Sequence, residues 1–225
     1  MTGWGRMKKS TKQTTIARRI DLSGVGVHSG APVSISLVPA EANSGVLFHR
    51  IDIGERKSGV VPALHSSVRE TDLCTVIRNP EGATVQTIEH LMAALSALDV
   101  DNVVVEIDGP EVPVMDGSSR AFVDAIAEVG LVEQSAGRRY IRVLKPVRFA
   151  SGGSWCEFVP ADTRQFDIEI DFDCPTVGRQ RMVVDLTADL FSQEIAGART
   201  FGFMKDVERL WAAGYALGSS LDNSV

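Results

Sequence analysis

No apolar run in this 225-residue chain is long enough to cross a bilayer, and no apolar stretch follows the N-terminal charges as a secretory leader requires. Cysteine is scarce. Cys74, Cys156 and Cys174 are odd in number, far apart and outside any CxxC pair, which argues against a disulfide framework or a thiolate metal site and fits a reducing cytoplasm. Each is expected to be a buried small hydrophobe. Positive charge is in deficit: 23 Lys and Arg against 29 Asp and Glu leave a net charge of −6, the wrong sign for neutralising phosphates. The one basic cluster, Arg6, Lys8, Lys9, Lys12, Arg18 and Arg19, reads as a solvated strand face rather than a tail for nucleic acid or lipid. With 44% hydrophobic and 23% charged residues, a packed core is expected, in one large domain or two of ordinary size.

The pattern along the chain is strands first and a helix after, twice over. Val33 to Val38 alternates polar and apolar and is entered through the glycine-rich turn Gly24 to Gly30, the mark of a half-buried antiparallel strand. Gly45 to Val61 reads as a hairpin region. Thr75-Val76-Ile77 is a short strand before the turn Asn79-Pro80-Glu81-Gly82. The run Val103 to Ile107, rich in β-branched residues, suits a central strand. A helix over Ala121 to Val129 is expected, capped by Ser118 or Ser119 and ended by Gly130, with the polar stretch Glu133 to Arg138 linking the halves. In the second half, Arg139 to Phe149 and Trp155 to Pro160 suggest a hairpin. Phe166 to Phe172 is expected to be a strand with one wet face, while Leu186 to Ile195 and Lys205 to Ala213 read as helices, the latter stopped by Gly214. A strand is expected to begin at Leu221.

Chemistry concentrates at Thr87-Ile88-Glu89-His90-Leu91, where a carboxylate and an imidazole stand side by side at a helix start. Thr87 suits an N-cap, Glu89 falls in the first turn, and Leu91, Ala94, Leu95 and Leu98 recur at helical spacing. Neighbours on a helix point about 100° apart, so one side chain can hold a metal while the other handles the proton of a bound water. A lone Glu-His pair is more often structural, and context has to decide.

That context is a set of blocks in order: Gly24 to Gly30, Glu70-Thr71-Asp72-Leu73-Cys74-Thr75, Thr87 to Leu91, Pro110-Glu111-Val112-Pro113-Val114-Met115-Asp116-Gly117-Ser118, and Ala198-Arg199-Thr200-Phe201-Gly202-Phe203. Together they resemble the zinc-dependent UDP-3-O-acyl-N-acetylglucosamine deacetylases of Gram-negative lipid A synthesis, from about Thr14 onward. The first ten or so residues fall outside, and Met7 is an alternative start. The resemblance implies an α+β fold of two related domains with helices packed between sheets. Residues 1–13 are then an N-terminal extension, 14–135 a first domain carrying the active-site helix, and 138–225 a second, incomplete domain with an inserted segment over about 199–220. It implies a cytoplasmic, monomeric zinc hydrolase that releases acetate from UDP-3-O-acyl-N-acetylglucosamine, with no nucleic-acid partner. Carried across residue by residue, His90 matches a zinc ligand, Glu89 the general base, and Thr200 the hydroxyl that holds the oxyanion. Phe201, Met204, Val207, Tyr215 and Ser220 match positions lining an acyl passage, Cys74 lies at the rim, and Phe172 matches a ring near the uridine.

The departure is in the metal set. The family's other two ligands come from a His-Lys-x-x-x-Asp motif, and its general-acid histidine lies further on; both are expected beyond Val225. Histidine here is limited to His28, His49, His65 and His90, and a catalytic zinc normally takes three protein ligands. The alternative is an inert fragment of the same enzyme. Individual residues keep bland readings: Thr200 as a local cap, the stripe Phe201, Met204, Val207 and Leu210 as core, Asp116 and Glu111 as loop carboxylates that cap nearby N–H groups. His28 either orients the active-site helix through a hydrogen bond or is a plain turn histidine.

Overall fold

A computed structural model describes residues 11–54 and 58–225. Arg6, Lys8 and Lys9 of the basic cluster, the alternative start Met7 and most of the expected extension 1–13 lie outside the described residues. Two compact units emerge, one formed by the chain up to Arg138 together with Ser192–Val225, the other by Arg139–Phe191. Residues 192–225 thus group with the first unit, because their backbone hydrogen bonds run to residues 27–28 and 117.

The first unit opens with β1 (Lys12–Ile16), β2 (Ile20–Val25), β3 (Pro32–Pro39), β4 (Val46–Arg50) and β5 (Val60–Pro62). It continues with β6 (Val68–Glu70), β7 (Val76–Arg78), β8 (Thr84–Val85), α1 (Glu89–Ala97), β9 (Val103–Ile107), α2 (Arg120–Val129) and β10 (Leu131–Gly137). The main sheet has the order β2-β3-β9-β4-β5, so the run Val103 to Ile107 does occupy the centre. It pairs antiparallel with β3 and parallel with β4, and the register sets Ile35 against Ile107 and Leu37 against Val105. One face of that sheet is core: Ile35, Leu37, Phe48, Val105 and Ile107 are sealed, as are Leu91 and Leu95 of α1 and Phe122 and Ile126 of α2. This is the arrangement that period-2 and period-3.6 apolar patterns produce when each finds the other. A second small sheet runs β6-β7-β8, with the turn after β7 closed by the Asn79 side chain, which accepts the Ala83 N–H at 2.8 Å.

Two expectations fail here. The stretch expected to link the halves is the strand β10, antiparallel to β1. Its side chains fix it: Gln134 donates to Ala40 O and accepts from Asn102, while Arg138 bonds Asp101 at 2.7 Å. The strand expected from Leu221 is instead a turn, because the Asn223 amide bonds Gly218 O and accepts the Ser220 N–H. The described part of the basic cluster is solvated as expected, with Arg18 paired to Glu128 and Arg19 to Asp21 and Glu106.

The second unit contains two ribbons, β11 (Val147–Ser151) with β12 (Ser154–Phe158), and β13 (Gln165–Asp171) with β14 (Arg179–Asp185). Residues 139–146, expected to extend the first ribbon, form no strand. In the second ribbon the alternation separates an ionic face, with Arg181 to Asp167 at 2.6 Å and Arg179 to Glu169 at 2.8 Å, from an apolar face carrying Phe166, Ile168, Ile170 and Met182. The alternation predicts one wet face; every residue of β13 is exposed. The expected helix over Leu186 to Ile195 is one α-turn at Ala188–Leu190 followed by a π-turn at Phe191–Ile195. Back in the first unit, α3 spans Met204–Ala212, with Gly214 in the left-handed region just beyond. The architecture is α+β. No described helix is long and apolar enough to cross a membrane. No disulfide links the three cysteines, and none is fully buried: Cys156 is exposed, Cys74 and Cys174 half-buried.

Candidate active site

The sequence of α1, Glu-His-Leu-Met-Ala-Ala-Leu-Ser-Ala, has no β-branched residue and is rich in strong helix formers. Its inward stripe, Leu91, Ala94, Leu95 and Ala97, anchors it, which leaves the half-buried Glu89 and His90 at the solvent end of the first turn. Thr87 does not cap this helix. Ile88 is the N-cap residue, and no side chain caps it. Thr87 instead sits in the left-handed region at φ 56°, and its hydroxyl donates to Glu111 Oε1 at 3.0 Å.

Glu89 Oε2 accepts the Thr75 N–H at 3.1 Å, which ties the carboxylate to the segment carrying Cys74. Among the described residues Oε1 takes no hydrogen bond and stays open to a proton. His90 is fixed through its backbone, whose carbonyl accepts the Ser119 hydroxyl at 2.9 Å. Ser119, an expected helix cap, is thereby used to join α2 to α1, and Ser118 Oγ accepts the Arg120 N–H in its place. Burial pushes the His90 imidazole below its ordinary pKa, against the pull of the Glu89 and Asp116 carboxylates. The ring is therefore neutral near pH 7, the form that binds a metal. Its Nδ1 is buried without a hydrogen-bond partner, a condition shared among described residues only with His28 Nδ1. Burial also raises the Cys74 thiol, against its hydrogen bonds with Thr87, and the charges of Glu89 and Glu111 add to the rise.

Thr200 reaches the same place by another route. Its N–H donates to Gly117 O at 2.8 Å, and its carbonyl accepts the Val225 N–H at 3.1 Å. Arg199 Nε donates to Asp116 O at 2.8 Å. The loop 116–119 therefore carries Thr200 at one end and His90 at the other, two residues apart along the chain. The Thr200 hydroxyl is exposed and makes no hydrogen bond among the described residues, so it caps nothing.

The passage candidates lie on the following segment. Phe201, Met204, Tyr215 and Ser220 are exposed and Val207 is half-buried; α3 has no buried residue, so its apolar stripe is not core. The Phe201 ring meets Phe203 edge-on at 6.1 Å, and Tyr215 meets His28 the same way at 6.1 Å. His28 makes no side-chain bond to α1; its backbone N–H goes to Glu111. Phe172 lies in the other unit, where its N–H donates to Gly178 O.

A metal needs more donors than this. Among the described residues no group of three or more His, Cys, Asp or Glu side chains converges to hold an ion. His90 is one suitable donor, neutral and unpartnered, out of the three or so protein ligands a catalytic zinc takes.

A family model described as LpxC, UDP-3-O-acyl N-acetylglycosamine deacetylase, matches residues 13–225. The chain belongs to this family. Proteins named UDP-3-O-acyl-N-acetylglucosamine deacetylase in Brucella ovis, Brucella canis and Brucella melitensis are each 56% identical to it over 213 residues, which make up 95% of this chain and 73% of the relative. The match spans both units and every block that carries the site, from the turn at Gly24 to Thr200. Sequence reasoning under-reads Glu111. Its reading as a loop carboxylate is right as far as it goes, since it caps the N–H groups of His28 and Ser29, but it also takes the Thr87 hydroxyl. The readable signal is a glutamate set between Pro110, Val112 and Pro113: a carboxylate in so apolar a loop is either wet or fully hydrogen-bonded.

Proposed function

We propose that this chain carries the catalytic carboxylate, one metal ligand and the oxyanion-binding hydroxyl of a zinc-dependent deacetylase that hydrolyses the N-acetyl group of UDP-3-O-acyl-N-acetylglucosamine and releases acetate. The observation that carries the reading is the convergence on the 116–119 loop of His90 from α1 and Thr200 from the segment before α3. Bound zinc would lower the pKa of a water and polarise the amide carbonyl. His90 would hold it through a neutral imidazole. Glu89, pinned through Oε2 with Oε1 open, is the base that takes the water's proton. The Thr200 hydroxyl donates to the oxygen on which negative charge develops, a contact worth about 3 kcal/mol in the transition state. The exposed Phe201, Met204 and Tyr215, with Val207 beside them, offer the acyl chain an apolar surface, and Phe172 serves the uridine. Three cysteines with no disulfide among them support a reducing, cytoplasmic setting, and we take the working form to be a monomer.

The test is zinc content of the purified chain together with acetate release from the acylated sugar nucleotide. Any zinc the chain retains is expected to depend on His90 and to be lost in His90→Ala, with release reduced about 100- to 10,000-fold in Glu89→Gln. A chain that retains no zinc and releases no acetate would mark an inert fragment and refute the proposal.

A further inference from the structure

We infer that Glu111 is a positioning residue that fixes the start of the active-site helix and the 215–220 segment to each other through one buried carboxylate. The inference rests on the functional reading above only for the meaning of the two elements it joins.

Glu111 is 2% exposed, and its two oxygens receive four hydrogen bonds. Oε1 accepts the His28 N–H at 2.9 Å and the Thr87 hydroxyl at 3.0 Å. Oε2 accepts the Ser29 N–H at 2.9 Å and the Ser29 hydroxyl at 2.7 Å. The backbone adds a second hold, since Val112 donates to Gln86 O at 3.0 Å and Gln86 to Pro110 O at 2.9 Å. The residues entering α1 are thus gripped through main chain and side chain at once. From the other side of the carboxylate, the turn 26–30 passes the hold onward. Leu217 donates to His28 O at 3.1 Å and Gly218 to Val27 O at 3.0 Å. That turn has no slack: a Cβ on Gly26 would lie 2.2 Å from Glu111 Oε2, and one on Gly218 would lie 2.2 Å from Gly26 O.

The chemistry of the clamp requires a carboxylate. Each oxygen faces a backbone N–H, which cannot rotate to become an acceptor. A glutamine has to turn its NH2 toward one of them, so one donor always meets a donor. Thr87 separates the two arms, because its hydroxyl bonds Glu111 and the Cys74 thiol but does not reach the turn 26–30.

Hydrogen exchange of individual amides in the full chain tests the clamp without requiring turnover. The Thr75 amide reports Glu89, to which it donates, and the Leu217 and Gly218 amides report the far segment. In Thr87→Val, Thr75 exchange should rise at least about tenfold with Leu217, Gly218 and the amides of β3 and β9 unchanged; Thr87→Ser, which keeps the hydroxyl, should restore the wild-type rate. Cys74→Ala, which removes the thiol that Thr87 also bonds, should leave Thr75 exchange unchanged, a rise of about tenfold there overturning the inference. In Glu111→Gln all three reporters should rise at least about tenfold. Wild-type exchange at Thr75 in Thr87→Val, Thr87→Ser failing to restore it, or a uniform rise across β3 and β9 in both Thr87→Val and Glu111→Gln would overturn the inference. Acetate release measured on the same samples separates the two readings: a wild-type chain that releases none but shows the expected exchange pattern refutes the functional reading alone.

Discussion

Replacing Gly117 by alanine strikes the link between Thr200 and the rest of the site. Gly117 has φ +83°, and a Cβ there would lie 1.9 Å from the Asn223 carbonyl oxygen. Two costs follow. Left-handed backbone costs an alanine about 1–2 kcal/mol. Forcing a carbon against packed backbone costs about 1–3 kcal/mol more. Gly45 isolates the first cost, since it has φ +69° and nothing within 4 Å of where a methyl would stand. At about 2–4 °C per kcal/mol for a chain of this size, Gly117→Ala should melt about 2–12 °C below Gly45→Ala. The strain also falls on the carbonyl that receives the Thr200 N–H, so exchange at the Thr200 amide should accelerate in Gly117→Ala and stay unchanged in Gly45→Ala. Thermal melts followed by circular dichroism, with amide exchange on the same samples, make the comparison. Equal melting temperatures for the two variants would refute the reasoning, because the steric contact is the only term that distinguishes them.

Arg138→Met should destabilise the first unit by about 3 kcal/mol in urea denaturation, because it strands two carboxylates beside a guanidinium site only 8% exposed. Arg181→Met, on an exposed ribbon pair, should leave the transition where it is. Stability without metal should be full above the unfolded histidine value near about 6.5 and fall as pH drops through it, because the folded His90 binds its proton less readily than the unfolded chain. His90→Gln should flatten that dependence in melts run with chelator. Cys74, whose thiol burial pushes up, should be alkylated more slowly at pH 8 than the exposed Cys156, as mass spectrometry of iodoacetamide-treated protein would register.

How much of this is legible in the sequence depends on the range over which each signal acts. The central strand and α1 announce themselves, because Val103 to Ile107 and the Leu91, Ala94, Leu95 stripe each carry their own periodicity. Strand β10 does not. Leu131 to Gly137 has little β-propensity of its own, and what makes it a strand is the partner β1 and the bonds of Gln134 to Ala40 and Asn102, all far away in sequence. The turn at 221–225 misleads for the opposite reason: Leu221 starts an apolar reading, and a local side chain overrules it, the Asn223 amide closing on Ser220 and Gly218 three and five residues back.

At the site the same division decides what each hydroxyl does. Local rules assign Thr87 and Ser119 to helix caps, since a Ser or Thr before a helix usually serves its N–H groups. Both hydroxyls are taken by partners 24 and 29 residues away, Glu111 and the His90 carbonyl. A cap within one helix fixes only that helix, whereas these bonds fix α1 against the loops that bring Glu111 and Thr200. The helix can forgo its cap because Glu89 in the first turn and the sealed Leu91 and Leu95 hold it. With the proposed base and metal ligand on one element and the proposed oxyanion donor on another, such cross-links matter more than the cap. The two departures from local rule therefore fall at the proposed site.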